Sequence, residues 1–393
     1  MKILIVNSLY PPVAGCSGAE KATSLLCEAL MRRGHEVVVV SLHPGSQQTV
    51  EFLNGVKVYR LPIDNIYWIA AKTRQSLWLR WIWHWKDRWN RKAAGRVAKI
   101  LDSEKPEVVN THNISGFSAS VWPEIKRRNI RLVHTTHDYY VVCVRRTLFR
   151  RNKVCVEPCF DCSLLARRRV RESASADALI CVSQKTMELH RRAGAFTRVP
   201  GHVVFNVSPE FQQRPSASAT RSGDEVVFGF IGVFDPKKGL EILLEAVSKL
   251  RHQDWRLDIA GTGEATYERR LRGITSDPRV RWLGFTPAPQ FFAGIDVAVI
   301  PSLWPEPLPY VCFEALQAGK ELICADSGGI PEMCRPGPRV SIVVPGDVVA
   351  LAESMDRAIE NAACLRSVNR LDAAQLELFR EETVVNRYLE IYS

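Results

Sequence analysis

Short apolar segments of strand length alternate with helix-like segments along this chain, and the alternation begins a second time after a polar stretch at residues 212–224. The strand-like segments are residues 2–7, 37–41, 108–111, 132–135, 178–182, 226–231, 257–260 and 297–300, and the helix-like ones include 19–33, 240–250 and 265–273. Such alternation is typical of βαβ units, which form parallel sheets covered by helices. The pattern therefore predicts an α/β protein with two domains.

The point at which the strand–helix alternation begins again also predicts the domain boundaries. We expect one domain over residues 1–205, a second over 206–371, and a C-terminal helix within 372–393 that packs back on the first domain. No apolar run approaches the roughly 20 residues of a membrane-spanning helix, and the N-terminal residues have the pattern of a first strand, not of a signal peptide. We expect the protein in the cytoplasm.

Positive charge is concentrated in the first half of the chain. Residues 1–200 contain 33 Lys and Arg against 16 Asp and Glu, which gives a net charge of +17, whereas the total is +11. This excess predicts an anionic partner for the first half. Charge alone leaves nucleic acid, an anionic membrane leaflet and phosphate-bearing substrates open.

Two carboxylates, Glu306 and Glu314, flank the start of a predicted helix. Three prolines between residues 304 and 309 place Glu306 in a loop, whereas residues 310–318 favour a helix that ends at Gly319. In α/β proteins the N–H groups of a helix that follows a strand commonly bind phosphate, and ionised carboxylates accept hydrogen bonds from sugar hydroxyls. The segment predicts a nucleotide-sugar site; the alternative is a capped, solvated helix with two incidental acids.

An ordered set of motifs surrounds this segment. It comprises Tyr10-Pro-Pro with Gly15 and Gly18, and residues 33–37, 106–112, 134–138, 176–180, 232–239, 260–263, 283–285 and 327–332. Together with Glu306 and Glu314, this set resembles the retaining glycosyltransferases of family 4, and the resemblance covers nearly the whole chain. It implies an α/β fold of two Rossmann-like domains that face each other across a cleft, the GT-B arrangement.

The resemblance also implies an activity. It is the transfer of a hexose from a nucleoside diphosphate sugar of the UDP or GDP type to a glycan or lipid-linked acceptor, with retention, in surface glycan biosynthesis. No metal or other cofactor is then expected for catalysis, because fixed cations and amide dipoles can stabilise the departing diphosphate.

The same resemblance implies roles for individual residues. Glu306 would contact the donor hexose and Glu314 the ribose. Lys238 would neutralise the diphosphate with help from Lys237, and His137 would lie near the donor sugar; its alternative role is to cap a strand. The catalytic candidates are therefore His137, Glu306 and Lys238, and the other donor-binding candidates are Gly15, Gly18, Lys237, Tyr310, Val311 and Glu314.

Three positions depart from the family pattern. Val233 stands where many members carry an arginine beside the diphosphate, so Lys237 and Lys238 are left to supply positive charge. Pro309 stands where glycine is common and has no N–H to donate. The N-terminal glycines, Gly15 and Gly18, are separated instead of adjacent.

A tryptophan-rich, basic segment lies between residues 65 and 100. On a helix, Trp78, Trp81, Ile82, Trp85 and Trp89 share one face, and residues 72–99 hold nine cations against Asp87 alone. This pattern is typical of a helix at a membrane interface; the alternative is tryptophans packed on the domain core. We expect a peripheral protein on the inner face of the plasma membrane, docked on its anionic leaflet.

Four cysteines form a second cluster: Cys143, Cys155, Cys159 and Cys162. Eleven cysteines without an export signal favour reduced thiols over disulfides, and four thiolates could bind a structural zinc ion. The alternative is unligated thiols in a basic acceptor loop to which Arg145 and Arg146 contribute.

Two other functions remain open from the residues. One is a nucleotide-sugar epimerase of the same fold, which would not need a sugar acceptor. The other is a non-enzymatic, zinc-bearing protein that binds glycan or nucleic acid, which leaves Glu306 and Glu314 unexplained. We expect no nucleic-acid partner.

Overall fold

The chain folds into two compact units in a computed structural model, which describes residues 1–13, 18–68, 70, 75–207, 225–334, 339–362 and 377–393. The first unit takes in Met1–Leu148, Cys155–Ser208 and Leu378–Ser393, and the second takes in Phe149–Val154 and Pro209–Glu377. The polar stretch at residues 212–224, after which the sequence pattern begins again, lies outside the described residues.

Strands and helices alternate through both units. The strands are β1 (Lys2–Val6), β2 (Glu36–His43), β3 (Thr49–Leu53), β4 (Val56–Pro62), β5 (Val108–Thr111), β6 (Arg131–Thr136), β7 (Phe149–Arg150), β8 (Lys153–Val154), β9 (Ala178–Cys181), β10 (Gly201–Val203), β11 (Val226–Ile231), β12 (Trp255–Ala260), β13 (Val280–Gly284), β14 (Val297–Ile300), β15 (Glu321–Ala325) and β16 (Val340–Val343). The helices are α1 (Gly18–Arg32), α2 (Leu77–Asp87), α3 (Arg91–Glu104), α4 (Val121–Lys126), α5 (Phe160–Leu165), α6 (Arg167–Glu172), α7 (Gln184–Arg192), α8 (Leu240–Val247), α9 (Ala265–Arg272), α10 (Ala288–Ala293), α11 (Tyr310–Gln317), α12 (Ile330–Met333), α13 (Val348–Glu360) and α14 (Glu381–Tyr392). Short 3₁₀ helices lie at Ser173–Ser175 and Pro236–Lys238.

The first unit is built on an eight-stranded sheet with the order β10-β9-β6-β5-β1-β2-β4-β3. Neighbouring strands are parallel except the edge strand β3, which pairs antiparallel with β4. The central strand β1 is buried from Ile3 to Val6, as expected for a parallel strand covered on both faces. The predicted α/β class is therefore observed in this unit.

The last helix, α14, packs on the first unit. Its buried side chains Val384, Val385 and Tyr388 join the core formed by α1 and β1. The Asn110 amide donates a hydrogen bond to the Tyr392 hydroxyl (2.7 Å). The contacts of α14 in the first unit are thus both apolar and polar.

The second unit contains a six-stranded parallel sheet with the order β13-β12-β11-β14-β15-β16. Its core combines apolar residues of the sheet with Leu243 and Leu244 of α8 and Leu351 and Met355 of α13. The strand order reverses direction at β11 and β14, which are adjacent. Ligands of open α/β sheets bind at the carboxyl ends of strands at such a reversal.

Across the parts of the chain that the structure describes, none of the helices combines the length and the apolar character needed to cross a membrane.

Candidate active site

Lys238 and Glu306 meet at the reversal point of the second sheet. The Lys238 Nζ donates a hydrogen bond to Glu306 Oε1 (2.6 Å), and the Ser302 hydroxyl donates to the same oxygen (2.9 Å). Glu306 is almost completely buried, whereas the Lys238 side chain keeps 26% of its exposure. A buried carboxylate with a fixed cation and an open flank can bind both an anion and an alcohol.

Backbone packing brings these two residues together. Lys238 ends the 3₁₀ helix that follows β11, and Gly239 comes next with φ +73°. A Cβ at Gly239 would lie 1.9 Å from the Pro301 carbonyl oxygen, at the end of β14. The Leu303 N–H donates to the Lys237 carbonyl (2.8 Å). Only glycine allows the two loops to approach this closely.

A second glycine supports the Glu306 loop from the other side. Gly328 has φ +63°, and a Cβ there would lie 2.0 Å from the Glu306 carbonyl oxygen. The Gly329 N–H donates to that oxygen (2.7 Å), and the Ser327 hydroxyl donates to the Trp304 carbonyl. The backbone at Glu306 is thereby fixed by the turn that follows β15.

Trp304 lies beside both lysines. Its ring centre is 5.6 Å from Lys237 Nζ and 5.7 Å from Lys238 Nζ, within the range of a cation–π interaction. Lys237 also pairs with Asp235 (2.8 Å). The sequence analysis named neither Trp304 nor Ser302 as a site residue, although both belong to the loop that contains Glu306.

Helix α11 confirms the predicted element for Glu314. It begins at Tyr310, follows Pro309, and ends before Gly319, whose φ of +69° stops the helix. Tyr310 and Val311 are its first two residues, where N–H groups lack partners within the helix. Glu314 lies in the next turn and is half-buried.

His137 belongs to the first unit and pairs with a second histidine. Its Nε2 lies 2.8 Å from His112 Nδ1, and the two rings stack with centroids 5.0 Å apart. The opposite nitrogens, His137 Nδ1 and His112 Nε2, are buried and have no hydrogen-bond partner within the described ranges. Such an orphaned nitrogen could accept or donate a bond to a bound hydroxyl.

Burial keeps several histidines of the first unit neutral. It lowers the pKa of His137 and His190 to about 4 and that of His134 to about 3, from an ordinary value of 6.5. The folded protein therefore binds fewer protons than the unfolded chain between these values and pH 6.5.

Acid should consequently destabilise the first unit. The stability that each buried neutral histidine contributes is fully present above about pH 6.5 and is lost as the pH falls toward 4. At pH 5 the loss is about 1–2 kcal/mol for each such histidine. Urea unfolding at pH 7, 6 and 5 measures this loss, and His190→Gln should make the dependence shallower. Equal unfolding midpoints at pH 5 and 7 would contradict the expectation.

The structure describes one of the two glycines that are expected near the donor phosphates. Gly18 is the first residue of α1, whereas Gly15 lies outside the described residues. The role of both in donor binding stays a prediction.

Of the four predicted zinc ligands, Cys143, Cys159 and Cys162 lie close together. The sulfur atoms of Cys159 and Cys162 are 3.7 Å apart, and the Cys162 thiol hydrogen bonds to Cys143, which lowers the pKa of Cys143 to about 5. Arg145 pairs with Asp161 (3.2 Å), and Arg146 adopts a left-handed backbone with φ +62°. Zinc binding by these cysteines stays a prediction.

A different cysteine triple is more compact, and the sequence analysis missed it. Cys312 of α11, Cys324 of β15 and Cys334 after α12 are all buried, and their sulfur atoms lie within 4.8 Å of one another. In the described part of the chain this is the set of three whose spacing suits one metal ion. Hydrogen bonds from the other two thiols lower the pKa of Cys334 to about 5. The three cysteines lie on different elements and show no Cys-x-x-Cys spacing, so no local motif marks them.

The structure divides the tryptophan-rich segment into exposed and buried members. Trp78, Trp81 and Trp85 of α2 are exposed, whereas Trp83 is buried. Trp89 follows the end of α2 and is half-buried under Arg168, whose guanidinium carbon lies 3.4 Å from its ring centre. Helical spacing predicts Trp89 on the face of the exposed tryptophans, but its ring is half-buried against Arg168.

Two family models match the chain in succession. Residues 16–207 match Glycosyltransferase Family 4, and residues 225–361 match Glycosyl transferases group 1. An uncharacterized 42.6 kDa protein in the cps region of Klebsiella pneumoniae is 28% identical over 393 residues, which is 100% of each chain.

Solved structures share the fold along the entire chain. Sucrose-phosphate synthase from Thermosynechococcus elongatus has a TM-score of 0.79 at 19% identity and covers 100% of this chain and 98% of its own. HepE from Anabaena, in complex with UDP and glucose, has a TM-score of 0.72 at 19% identity and covers 99% of this chain and 98% of its own. These matches confirm the predicted α/β class of the GT-B type.

Proposed function

Because this chain belongs to the group 1 glycosyltransferases of family 4, we propose that it transfers a hexose from a nucleoside diphosphate sugar to a carbohydrate acceptor with retention at the anomeric carbon. The observation that carries the proposal is the Lys238–Glu306 pair at the strand reversal, just before α11 begins. The complex of HepE with UDP and glucose supports a donor of the UDP type.

The site offers complementary groups for such a donor. Breaking the anomeric bond leaves positive charge on the sugar and negative charge on the diphosphate, so fixed cations and amides near the diphosphate lower the barrier. We assign that role to Lys238, with help from Lys237 and the amides of Tyr310 and Val311. Glu306 would accept hydrogen bonds from hexose hydroxyls. Because ammonium and amide groups supply the positive charge, the proposed transfer needs no metal ion.

We also propose that His137 contacts the donor sugar. Its unpartnered Nδ1 could hydrogen bond to a sugar hydroxyl. Burial lowers its pKa to about 4, so the neutral imidazole would make this contact at physiological pH.

We propose that the acceptor is a lipid-linked glycan intermediate of surface polysaccharide synthesis. The protein would reach this acceptor at the inner face of the membrane. The relative in a cps region supports polysaccharide synthesis. The net charge of +17 in residues 1–200 supports an acceptor that carries phosphate, and Arg145 and Arg146 are candidates to bind it.

Nucleotide release tests the proposed reaction. Purified protein is incubated with UDP-hexoses and GDP-hexoses, with and without lipid-diphosphate-linked saccharides, and free nucleoside diphosphate is measured. We expect release that depends on both donor and acceptor. An epimerase would convert the donor without an acceptor, and a binding protein would release no nucleotide; either result would overturn the proposal.

Glu314→Ala should weaken donor use. Loss of a charged acceptor for the ribose diol should lower kcat/KM by about tenfold to a hundredfold, mainly through KM. Initial rates over a donor series measure the change. The matched control is Glu353→Ala, which removes an exposed carboxylate from α13 and should leave the kinetics unchanged. An unchanged KM in Glu314→Ala would remove this residue from the donor site.

A further inference from the structure

The outward face of α2 carries five large apolar side chains that are exposed. Leu77 is 81% exposed, and Trp78, Trp81, Ile82 and Trp85 are 63%, 45%, 41% and 49% exposed. At 100° per residue these five side chains span about 140° of the helix circumference. The Trp81 and Trp85 rings stack with centroids 5.6 Å apart. They form one continuous apolar stripe, which we call the α2 face.

The opposite side of α2 is anchored inside the first unit. Asp87 is completely buried and accepts hydrogen bonds from the Tyr140 hydroxyl (2.7 Å) and the Gly116 N–H (2.7 Å). The guanidinium of Arg169, also buried, lies 3.7 Å from the same carboxylate. On α2 an acid therefore faces the core together with Trp83, whereas three tryptophans face outward. These buried contacts fix the direction in which the α2 face points.

Cations border the α2 face. Arg80, Lys86 and Arg88 form no salt bridge within the described ranges, and the Arg88 guanidinium lies over the Trp85 ring at 4.8 Å. Lys92 and Arg96, by contrast, are paired with Asp64. A stripe of tryptophans with unpaired cations beside it is complementary to anionic headgroups above an acyl layer.

We propose that the α2 face docks this protein on an anionic lipid surface. The helix has 11 residues and is about 16 Å long, so it lies in the interface plane and does not span the bilayer. Trp78, Trp81 and Trp85 insert at the headgroup level, and the bordering cations contact lipid phosphates. Docking is a property of the free protein and does not depend on the proposed transfer reaction.

Vesicle flotation without any sugar tests the proposal. The full chain is mixed with vesicles of phosphatidylcholine alone or with phosphatidylglycerol, at low and physiological salt. We expect binding to the anionic vesicles. The triple variant Trp78→Ala, Trp81→Ala, Trp85→Ala should lose about a hundredfold or more in partition coefficient, and Lys86→Ala about fivefold.

Phe52→Ala is the matched control, because it removes another exposed aromatic side chain (69% exposed) from the same unit. It should bind like the parent. Thermal unfolding verifies that the triple variant folds. Absence of parent binding to anionic vesicles at physiological salt would overturn the proposal. Light scattering identifies the other occupant: if the parent does not bind vesicles and is a dimer while the triple variant is a monomer, the α2 face contacts a second copy and the proposal is overturned.

Discussion

Replacing Lys238 by alanine is expected to lower kcat at saturating donor by about a hundredfold to a thousandfold. The Lys238 ammonium is held beside Glu306 by a hydrogen bond of 2.6 Å, at the sheet reversal where the diphosphate is proposed to depart. Removal takes away the cation that faces the developing negative charge. The effect belongs to kcat because this charge grows only as the bond breaks. Single-turnover and steady-state rates with saturating donor measure it.

Two further variants make this prediction specific. Lys238→Arg keeps the charge and should recover part of the rate, whereas Lys249→Ala removes an exposed lysine of the same unit and should have no effect. Thermal unfolding separates lost chemistry from lost structure, because Glu306 remains buried without its cation in Lys238→Ala. If the folded variant keeps kcat within about threefold of the parent, Lys238 is not the group that stabilises the leaving diphosphate.

The second large effect concerns Asp87. We expect Asp87→Ala to reduce the free energy of unfolding of the first unit by about 3–5 kcal/mol. The substitution removes the acceptor of the Tyr140 and Gly116 hydrogen bonds and leaves the buried Arg169 guanidinium without its anion. Urea unfolding followed by the tryptophan fluorescence of the first unit measures the change.

Two control variants test whether the effect of Asp87→Ala comes from the buried ion pair. Asp102→Ala removes an exposed carboxylate that pairs with Arg128 and should leave the transition almost unchanged. The double variant Asp87→Leu, Arg169→Met removes both charges and should recover much of the lost stability. A loss below about 1 kcal/mol in Asp87→Ala would show that the buried pair does not hold α2 in place.

Local signals made the donor segment predictable. The prolines before residue 310 and Gly319 after the helix have the same meaning in any fold, so the loop at Glu306 and the helix at Glu314 are observed as expected. The family resemblance implied that Lys238 and Glu306 both serve the donor, but not that the two side chains form an ion pair. Its physical basis, two glycines packed against backbone carbonyls, depends on the approach of separate loops and has no local signal.

Other features depend on which side of a helix faces the core. Periodicity placed Trp85 and Trp89 on one face of a helix, but α2 ends at Asp87, and Trp89 packs under Arg168. A rule that buries apolar residues would also have turned Asp87 outward. The cysteines 312, 324 and 334 meet because α11 packs against β15 and α12, which is a property of tertiary packing.

The tight packing of Gly239 and Gly328 also limits how this enzyme can be altered. A side chain at Gly239 or Gly328 would place its Cβ 1.9 or 2.0 Å from a carbonyl oxygen, much closer than van der Waals contact allows. The lysine and the acid would therefore be pushed apart. A mutant library aimed at a new sugar donor should therefore leave both glycines unchanged. It should instead vary Val233, whose side chain is 65% exposed in a loop beside β11 and can change without disturbing this framework.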